Sequence, residues 1–283
     1  MKQNLKRNLL LCGAAGFAAL FLFSGVMLAR QMADRKQSAA AFEQVASLIR
    51  EPETAEPTQE TETEPASEST GETAGETASA LTAYETYGAV YEQNPDFVGW
   101  LSIEGTAIDY PVMQSPNDPD FYLKHAFDKS YSAYGTPYVQ ADCMVGSSDN
   151  LVLYGHHMKD GTMFAGLCDY ENEDFYRDHK TIHFDTLESF AEYEIVAVFK
   201  TVAYSSDGFK YYRFVNAESG EDFEEFIVRC KALSLYDTGV SAEYGDKLIT
   251  LATCEYSRTN GRMVVVARRI DPSPGEVEGH AGY

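Results

Sequence analysis

The chain lacks any cluster of basic residues. Its 283 residues include 22 Lys and Arg against 44 Asp and Glu, which gives a formal net charge of −22. Nucleic acids and anionic lipid surfaces attract basic patches, and no stretch after the N-terminus gathers Lys or Arg on one face. The composition therefore argues against nucleic acid as a partner and against an anionic lipid surface as a docking site.

The segment 51–83 also lacks the residues that build a core. It contains nine Glu and no Lys or Arg, and Thr, Ser, Pro, Ala and Gly make up most of the rest. Such a segment buries too little apolar surface to offset the entropy that is lost on ordering. We predict that 51–83 is a disordered acidic linker, that the folded domain spans 84–270, and that 271–283 is a disordered tail.

Charge is missing from the run at 9–29, LLLCGAAGFAALFLFSGVMLA. A helix of that length, at about 1.5 Å per residue, can cross a hydrocarbon core of about 30 Å. A cleaved signal peptide is the alternative, but its apolar region is usually about 7–15 residues long. Basic residues in 1–8 predict that the N-terminus is cytoplasmic. We therefore predict a single-pass membrane anchor, a juxtamembrane helix at 30–50 and an extracellular C-terminal domain.

Cysteine is scarce, and its spacing does not indicate a metal site. Five Cys are present, and Cys12 falls within the apolar run. Cys168 and Cys230 lie in helical apolar patterns, which predicts buried thiols that act as small hydrophobic side chains. The pattern leaves the state of Cys143 open. Cys and His do not stand at zinc-ligand spacing, so we expect neither a metal nor a cofactor.

The remainder of the chain is dominated by short strand-like segments. They are found at 97–103, 108–114, 136–140, 150–155, 181–184, 192–204, 211–215, 247–254 and 262–270. A short helix is predicted at 84–93, and the segments GTMFAGLCDY and EDFEEFIVRCKALSLY also have a helical period. Many short strands with Gly, Asn and Asp in the turns predict a closed or nearly closed β-barrel.

Three residues suited to acyl transfer stand at predicted strand ends. Cys254 ends the apolar strand in TLATCEYS, and a cysteine nucleophile needs a base or a cation nearby. His156 follows LVLYG and is suited to general acid/base catalysis, whereas the adjacent His157 points the opposite way in an extended segment. Arg262 begins the next strand, so an antiparallel hairpin would bring it to the same end of the sheet as Cys254. There its planar donors could stabilise an oxyanion.

The motifs around these residues resemble those of the sortases, and specifically of class B. The family's active-site hairpin has the pattern TLxTC, a short loop, then R-hydrophobic-V-V-V, and here it is TLATCEYSRTNGRMVVV. The family's catalytic His stands between YG and TMF, and here the segment is YGHHMKDGTMF. The resemblance covers 84–270. It implies a mostly β fold, a closed eight-stranded sortase-like β-barrel with a few peripheral helices, including an N-terminal helix and one long helix between the last strands.

The resemblance also implies roles for individual residues. It makes Cys254 the nucleophile, His156 the acid/base and Arg262 the group that stabilises the oxyanion. The substrate-binding residues that it implies are Leu123, Tyr154, Thr253 and Glu255. Ala252 stands where the family often has Ser, so this chain lacks a side-chain hydrogen bond from that position.

The activity that the resemblance implies is that of an extracytoplasmic cysteine transpeptidase. Such an enzyme cleaves a short sorting signal in a secreted protein through a thioester. It then transfers the acyl group to an amine of a cell-wall precursor or of a pilin. The sequence leaves open which signal and which amine are used, whether the product is an anchored protein or a pilus, and the oligomeric state.

Three other classes of protein share parts of this pattern. An L,D-transpeptidase would place its Cys in a Gly-rich S/T-x-G-C context, which the sequence lacks. A papain-like protease has its Cys before its His, whereas here His156 precedes Cys254. The remaining alternative is a non-enzymatic, membrane-anchored binding ectodomain, for which Cys254→Ala would alter packing alone.

Overall fold

The fold is that of a computed structural model, which describes residues 2–49, 81–115 and 117–270 and leaves out the side chains of 2–15, 18 and 19. The predicted linker lies outside the described residues over 51–80. The predicted tail at 271–283 lies outside them as well. Disorder in both segments therefore stays a prediction.

Short strands and a few helices make up the described part of the chain. The strands are β1 (Phe97–Ser102), β2 (Asp109–Met113), β3 (Tyr138–Val139), β4 (Asn150–Tyr154), β5 (Thr181–Asp185), β6 (Glu192–Val202), β7 (Leu248–Glu255) and β8 (Gly261–Ile270). The α-helices are α1 (Lys2–Ala46), α2 (Ala83–Gln93), α3 (Glu173–Asp178) and α4 (Gly220–Leu233). Turns of 3₁₀ helix cover Phe121–Leu123, Phe164–Glu171 and Tyr211–Arg213.

The eight strands close into a barrel in the order β1-β2-β3-β4-β7-β8-β6-β5. Strand β5 completes it by pairing with β1, where Trp100 lies opposite Asp185. The pairs β2–β3 and β4–β7 are parallel, and the others are antiparallel. The predicted closed eight-stranded barrel is therefore confirmed, and β4, β7 and β8 are neighbours in it.

Strands β7 and β8 are buried because their sequences are continuous apolar runs. Side chains at 248–253 of β7 and at 263–267 of β8 are buried. Each fully buried Val, Leu or Ile side chain stabilises the fold by about 1.5–3 kcal/mol relative to an exposed one. Cys254 and Arg262 are half-buried, so both emerge where the dense packing of the two strands ends.

Helix α2 begins inside the segment predicted as linker. Its N-cap is Thr82, whose hydroxyl accepts a hydrogen bond from the Glu85 backbone N–H, while the Glu85 carboxylate accepts from the Thr82 backbone N–H. Such a cap stabilises a helix by about 1 kcal/mol. The helix predicted at 84–93 thus begins one residue earlier, at Ala83, with its cap at Thr82.

One predicted strand is wrong. The segment YYRFV at 211–215 forms a turn of 3₁₀ helix and a loop instead. Phe214 leaves the sheet because its ring stacks on Phe226 of α4 at a centroid distance of 4.0 Å. The Asn150 amide group donates to the Phe214 backbone oxygen at 2.7 Å, and the Asn150 backbone N–H donates to Val215 at 2.9 Å. The segment therefore caps the start of β4.

Helix α1 contains most of the predicted juxtamembrane helix, and its C-terminal part packs on the barrel. The Phe42 ring contacts Tyr110 edge-on at a centroid distance of 5.0 Å. Arg35 Nε lies 3.3 Å from the Asp160 carboxylate. Among the residues that were described, no helix is long and apolar enough to cross a membrane. The anchor at 9–29 stays a prediction.

Candidate active site

The candidate site is built on three neighbouring strands. Strands β7 and β8 form an antiparallel hairpin in which Cys254 lies directly opposite Arg262. Directly opposite residues share a face of the sheet, with Cβ atoms about 4.5–5.5 Å apart. The predicted hairpin is confirmed, and it brings the thiol and the guanidinium to one face at the same end of the barrel.

His156 approaches the same end from β4. That strand runs parallel to β7, and the last pair of the ladder joins Tyr154 to Ala252. His156 and Cys254 each stand two residues further along. Because side chains alternate with a period of two, this spacing directs His156 to the face of Cys254. His156, two residues beyond the end of β4, thus lies at the same end of the barrel as Cys254 of β7 and Arg262 of β8.

One ring nitrogen of His156 is already hydrogen-bonded. Nε2 lies 2.7 Å from the backbone oxygen of Leu123. A carbonyl oxygen only accepts, so Nε2 carries the hydrogen and Nδ1 of the neutral ring holds the free lone pair. Nδ1 is therefore the nitrogen that can exchange a proton with a reacting group. The Leu123 carbonyl fixes both the tautomer and the orientation of this ring.

The loop that follows His156 is closed at its base. The Phe164 backbone N–H donates to the His156 carbonyl at 2.9 Å, and His157 forms an isolated antiparallel bridge with Met163. Met163 is buried at φ 58°, a strained conformation for a residue with a side chain. At Gly155 a Cβ would lie 2.5 Å from the Phe164 ring, so the close approach requires glycine. These contacts hold the loop in one conformation.

Arg262 has no acidic partner among the residues that the structure describes. Its Nη1 donates to the backbone oxygen of Gly261 at 2.9 Å, and it forms no ion pair with any carboxylate of the described ranges. Burial raises the pKa of Tyr138 and of Tyr211, and the positive charge of Arg262 opposes that rise. The guanidinium therefore lies within electrostatic range of both hydroxyl groups.

Two of the predicted substrate contacts lie beside this face. Tyr154 is half-buried, its hydroxyl donates to the Gln140 side-chain oxygen, and its ring lies 5.6 Å from that of Tyr138. Leu123 lies in a 3₁₀ turn and reaches the site through its backbone oxygen on His156. The structure thus brings both residues next to the predicted catalytic groups.

The other two predicted substrate contacts, Thr253 and Glu255, point to the opposite face of β7 because side chains alternate along a strand. The Thr253 hydroxyl donates to the Gly155 backbone oxygen at 2.8 Å. Glu255 accepts from the Ser257 hydroxyl at 2.7 Å and lies 3.6 Å from Lys200 Nζ. Burial raises the pKa of Glu255, but these partners together hold it below its usual value. The structure does not bring the two side chains to the thiol.

The remaining described thiols are not suited to nucleophilic attack. Cys143 and Cys230 are buried, Cys168 is half-buried, and none of them is in a disulfide. Burial raises the pKa of Cys143 and of Cys168 to about 11, so both stay protonated at neutral pH. Over the ranges that the structure covers, no group of three or more His, Cys, Asp or Glu could hold a metal ion.

Sequence reasoning missed the tyrosines around the thiol. Burial raises the pKa of Tyr211 and of Tyr256, and a negative charge on Cys254 would raise both further. Both hydroxyl groups therefore lie within electrostatic range of the sulfur. The only signal in the sequence is the abundance of Tyr, 19 in 283 residues, which does not show which of them converge.

Comparisons with known proteins all indicate one family. The family model for the Sortase domain matches residues 101–270. Sortase B of Staphylococcus aureus is 33% identical over 183 residues, which cover 64% of this chain and 72% of that protein. Sortase B of Listeria monocytogenes is 35% identical over 182 residues, which cover 62% of this chain and 71% of that protein.

Solved structures agree with the sequence relatives. A Staphylococcus aureus sortase B–substrate complex has a TM-score of 0.62 at 31% identity, over 68% of this chain and 88% of that chain. Clostridium perfringens sortase B has a TM-score of 0.59 at 33% identity, over 64% of this chain and 98% of that chain. The matched family consists of enzymes, and its model covers residues 101–270. The alternative of a non-enzymatic binding ectodomain is therefore excluded. The chain therefore belongs to class B of the sortase family, cysteine transpeptidases that anchor surface proteins.

Proposed function

We propose that Nδ1 of His156 takes the proton of the Cys254 thiol, and that the resulting thiolate attacks a peptide carbonyl within a short sorting signal of a secreted protein. As the sulfur–carbon bond forms, the carbonyl oxygen becomes an oxyanion, to which Arg262 donates hydrogen bonds. When the tetrahedral intermediate collapses, the carbon–nitrogen bond breaks and His156 gives its Nδ1 proton to the leaving amine. The products are a thioester on Cys254 and a free amine on the released fragment.

A second amine then resolves the thioester. It attacks the carbonyl carbon, His156 takes up its proton, and the Cys254 thiolate leaves as the new amide forms. The acceptor that we propose is an amine of a cell-wall precursor or of a pilin. One solved structure is a sortase B complexed with triglycine, which makes that peptide the first acceptor to test on this chain.

The observation that carries this proposal is the order of three adjacent strands. Strands β4, β7 and β8 carry an acid/base, a thiol and a guanidinium at one end of the barrel. Nucleophile, proton carrier and oxyanion donor are the three groups that acyl transfer through a thioester needs. Arg262 forms no ion pair with a carboxylate of the described residues, and the Leu123 carbonyl leaves Nδ1 of His156 available, which supports the roles that we propose for these two groups.

This activity also requires that the domain meets secreted proteins. We therefore place the domain outside the cytoplasm, where sorting signals and cell-wall amines are found together. Protease added to intact cells should digest the domain without lysis. Complete protection until the cells are lysed would contradict this location.

The activity can be tested on the purified full chain in mild detergent. It is incubated with a library of labelled five-residue signal peptides and triglycine, and mass spectrometry detects the triglycine amide. Cys254→Ala and His156→Ala are measured beside the parent, and thermal melting shows that each variant is folded. We expect product from the parent and none above background from either variant.

Two results would overturn the proposal. One is product formation by folded Cys254→Ala, because another group would then be the nucleophile. The other is a folded parent that forms neither product nor acyl adduct across a library with all residues at each position. In both cases the strand-end arrangement would have a different role.

A further inference from the structure

The two adjacent histidines make contacts of different kinds. The ring of His156 is hydrogen-bonded to Leu123 in a distant segment, as described above. The ring of His157 turns the other way, and its Nδ1 lies 2.9 Å from the backbone oxygen of Cys254. Because that oxygen only accepts, Nδ1 of His157 carries the hydrogen. A side chain next to the acid/base thus holds the peptide group of the nucleophile.

The bond from His157 continues the sheet beyond the point where β4 ends. The Gly155 backbone N–H donates to the Ala252 oxygen at 3.3 Å. In a parallel ladder the next oxygen of β7 that faces β4 is two residues on, that of Cys254. No backbone N–H of the loop reaches it, and the His157 ring supplies the donor instead. The last rung beside the nucleophile is therefore made by a side chain.

Two further hydrogen bonds join the same two segments. The Thr253 hydroxyl donates to the Gly155 oxygen at 2.8 Å, and the Tyr256 hydroxyl donates to the His157 oxygen at 3.2 Å. The Tyr256 ring also packs edge-on against His157 at a centroid distance of 4.9 Å. Segments 155–157 and 253–256 are thus tied by three side-chain bonds around the nucleophile, and the His157 bond is the middle one.

The surroundings of His157 leave this bond without a strong competitor. The Cys168 sulfur lies 3.3 Å from Nδ1 and 3.9 Å from the Cys254 oxygen. Burial, and next the charge of Glu255, raise the pKa of Cys168 to about 11, so this thiol is neutral at pH 7. A neutral thiol is a weak donor and a weak acceptor. The imidazole is therefore the principal partner of the Cys254 carbonyl.

We propose that His157 is a positioning residue, which holds the Cys254 peptide at a fixed distance from the segment that carries His156. The inference rests on the proposed roles of Cys254 and His156 and adds a residue that acts through the backbone oxygen of Cys254. Without the ring N–H, the end of β7 would be free to shift relative to the loop. Misplacement of a reacting group by about 1 Å can lower a rate about 10²-fold.

The test compares substitutions of His157 that differ in hydrogen-bond donors. His157→Asn keeps an N–H group in place of Nδ1, His157→Leu has similar bulk and no donor, and His157→Asp has the shape of Asn with acceptors alone. We expect Leu and Asp to lower kcat about 10- to 100-fold while KM changes less than about threefold. His157→Asn should keep kcat within about threefold of the parent. Steady-state kinetics use the full chain, the best signal peptide from the library and triglycine.

The outcomes separate this inference from the proposed function. If the parent makes product and Cys254→Ala does not, the proposed function stands whatever His157 does. The inference is then overturned if folded His157→Leu keeps its kcat within about twofold, or if Asn is as poor as Leu at equal melting temperature. If His157→Leu does not fold, the Asn and Asp pair decides alone, since equal kcat in those two would contradict a role for the donor.

Discussion

The two ends of the β7–β8 hairpin differ in whether their cationic side chains form ion pairs. At the end away from Cys254, called the far end here, Arg268 lies 3.4 Å from Glu194 and Lys247 lies 2.9 Å from Asp149. At the site end Arg262 has only the carbonyl of Gly261, with no carboxylate of the described residues within ion-pair distance. The hairpin thus pairs Arg268 and Lys247 with carboxylates at the end away from the thiol, whereas Arg262 beside the thiol has no ion pair among the described residues.

The register of β6 explains the difference. Glu194 lies directly opposite Arg268, and Thr201 lies directly opposite Arg262. Cross-strand neighbours of opposite charge attract, whereas Thr offers Arg only a neutral hydroxyl. That hydroxyl already accepts the Phe209 backbone N–H at 2.9 Å. The residue of β6 that lies opposite each arginine of β8 therefore decides its role. Glu194 pairs with Arg268, whereas Thr201 leaves Arg262 available to an oxyanion.

The largest effect is expected from removal of the unpaired cation. Arg262→Ala should lower kcat/KM about 10²- to 10³-fold, the range found when one oxyanion donor is lost. The matched control is Arg268→Ala at the other end of the same strand, which should keep kcat/KM within about twofold. Peptide cleavage and triglycine transfer measured side by side test this. Equal losses in the two variants would remove the distinction between the ends.

A smaller loss of kcat/KM is expected when a Glu is placed opposite Arg262. Thr201→Glu places a carboxylate opposite Arg262, as Glu194 is placed opposite Arg268. A charge-assisted pair would hold the guanidinium away from the oxyanion, so kcat/KM should fall about 10- to 100-fold. Thr201→Gln has the same bulk without the charge and controls for the lost Thr. If Gln and Glu reduce activity equally, the charge of Arg262 is not the cause.

The hairpin and its partners show what the sequence could predict. The apolar runs of β7 and β8 and the short turn between them indicated a hairpin with Cys254 and Arg262 at the same end of the sheet, and the observed register puts them directly opposite each other. The short strands and their turns indicated a closed or nearly closed barrel and His156 as an acid/base candidate at a strand end. The family resemblance added the number of strands and the choice of His156 over His157 as the partner of Cys254. The fold prediction therefore succeeded wherever local pattern and motif agreed.

The residues that the sequence misplaced or missed depend on contacts with distant segments or on the face of a strand to which they point. The YYRFV segment has strand propensity, but stacking of Phe214 on α4 outweighs it. The roles of the Leu123 oxygen and of the His157 ring depend on backbone groups more than thirty residues away, as the separations of 33 and 97 residues show. Glu255 adjoins Cys254 in sequence but faces Lys200, because neighbours in a strand point to opposite faces.

The smallest effects are expected at the far end. Burial raises the pKa of Asp149, but hydrogen bonds from Lys247 and from the Ala217 backbone, with the Lys247 charge, hold it below its usual value. A carboxyl group with a lowered pKa stabilises the fold above its unfolded pKa of about 3.9, and this contribution is lost as the pH falls through the folded pKa. Asp149→Asn should therefore lower the free energy of unfolding at pH 7 by less than about 1 kcal/mol.

The pH dependence provides the check on that prediction. Urea unfolding of the parent and of Asp149→Asn should show a difference at pH 7 that shrinks as the pH falls below about 4 and Asp149 becomes protonated. Transfer activity at pH 7 should stay within about twofold, since this end of the hairpin is remote from the thiol. A difference in unfolding free energy that is equal at pH 7 and pH 3 would show that the charge of Asp149 is not involved.

The most direct measurement locates the acyl group on the enzyme. The full chain is mixed with the best signal peptide in the absence of an acceptor amine, quenched in acid and digested, and tandem mass spectrometry identifies the acylated residue. The account predicts an acyl group on Cys254 that hydroxylamine removes and that triglycine converts to the amide product. An acyl group on Cys168 or on any other residue, or steady product formation with Cys254 unmodified throughout, would contradict it.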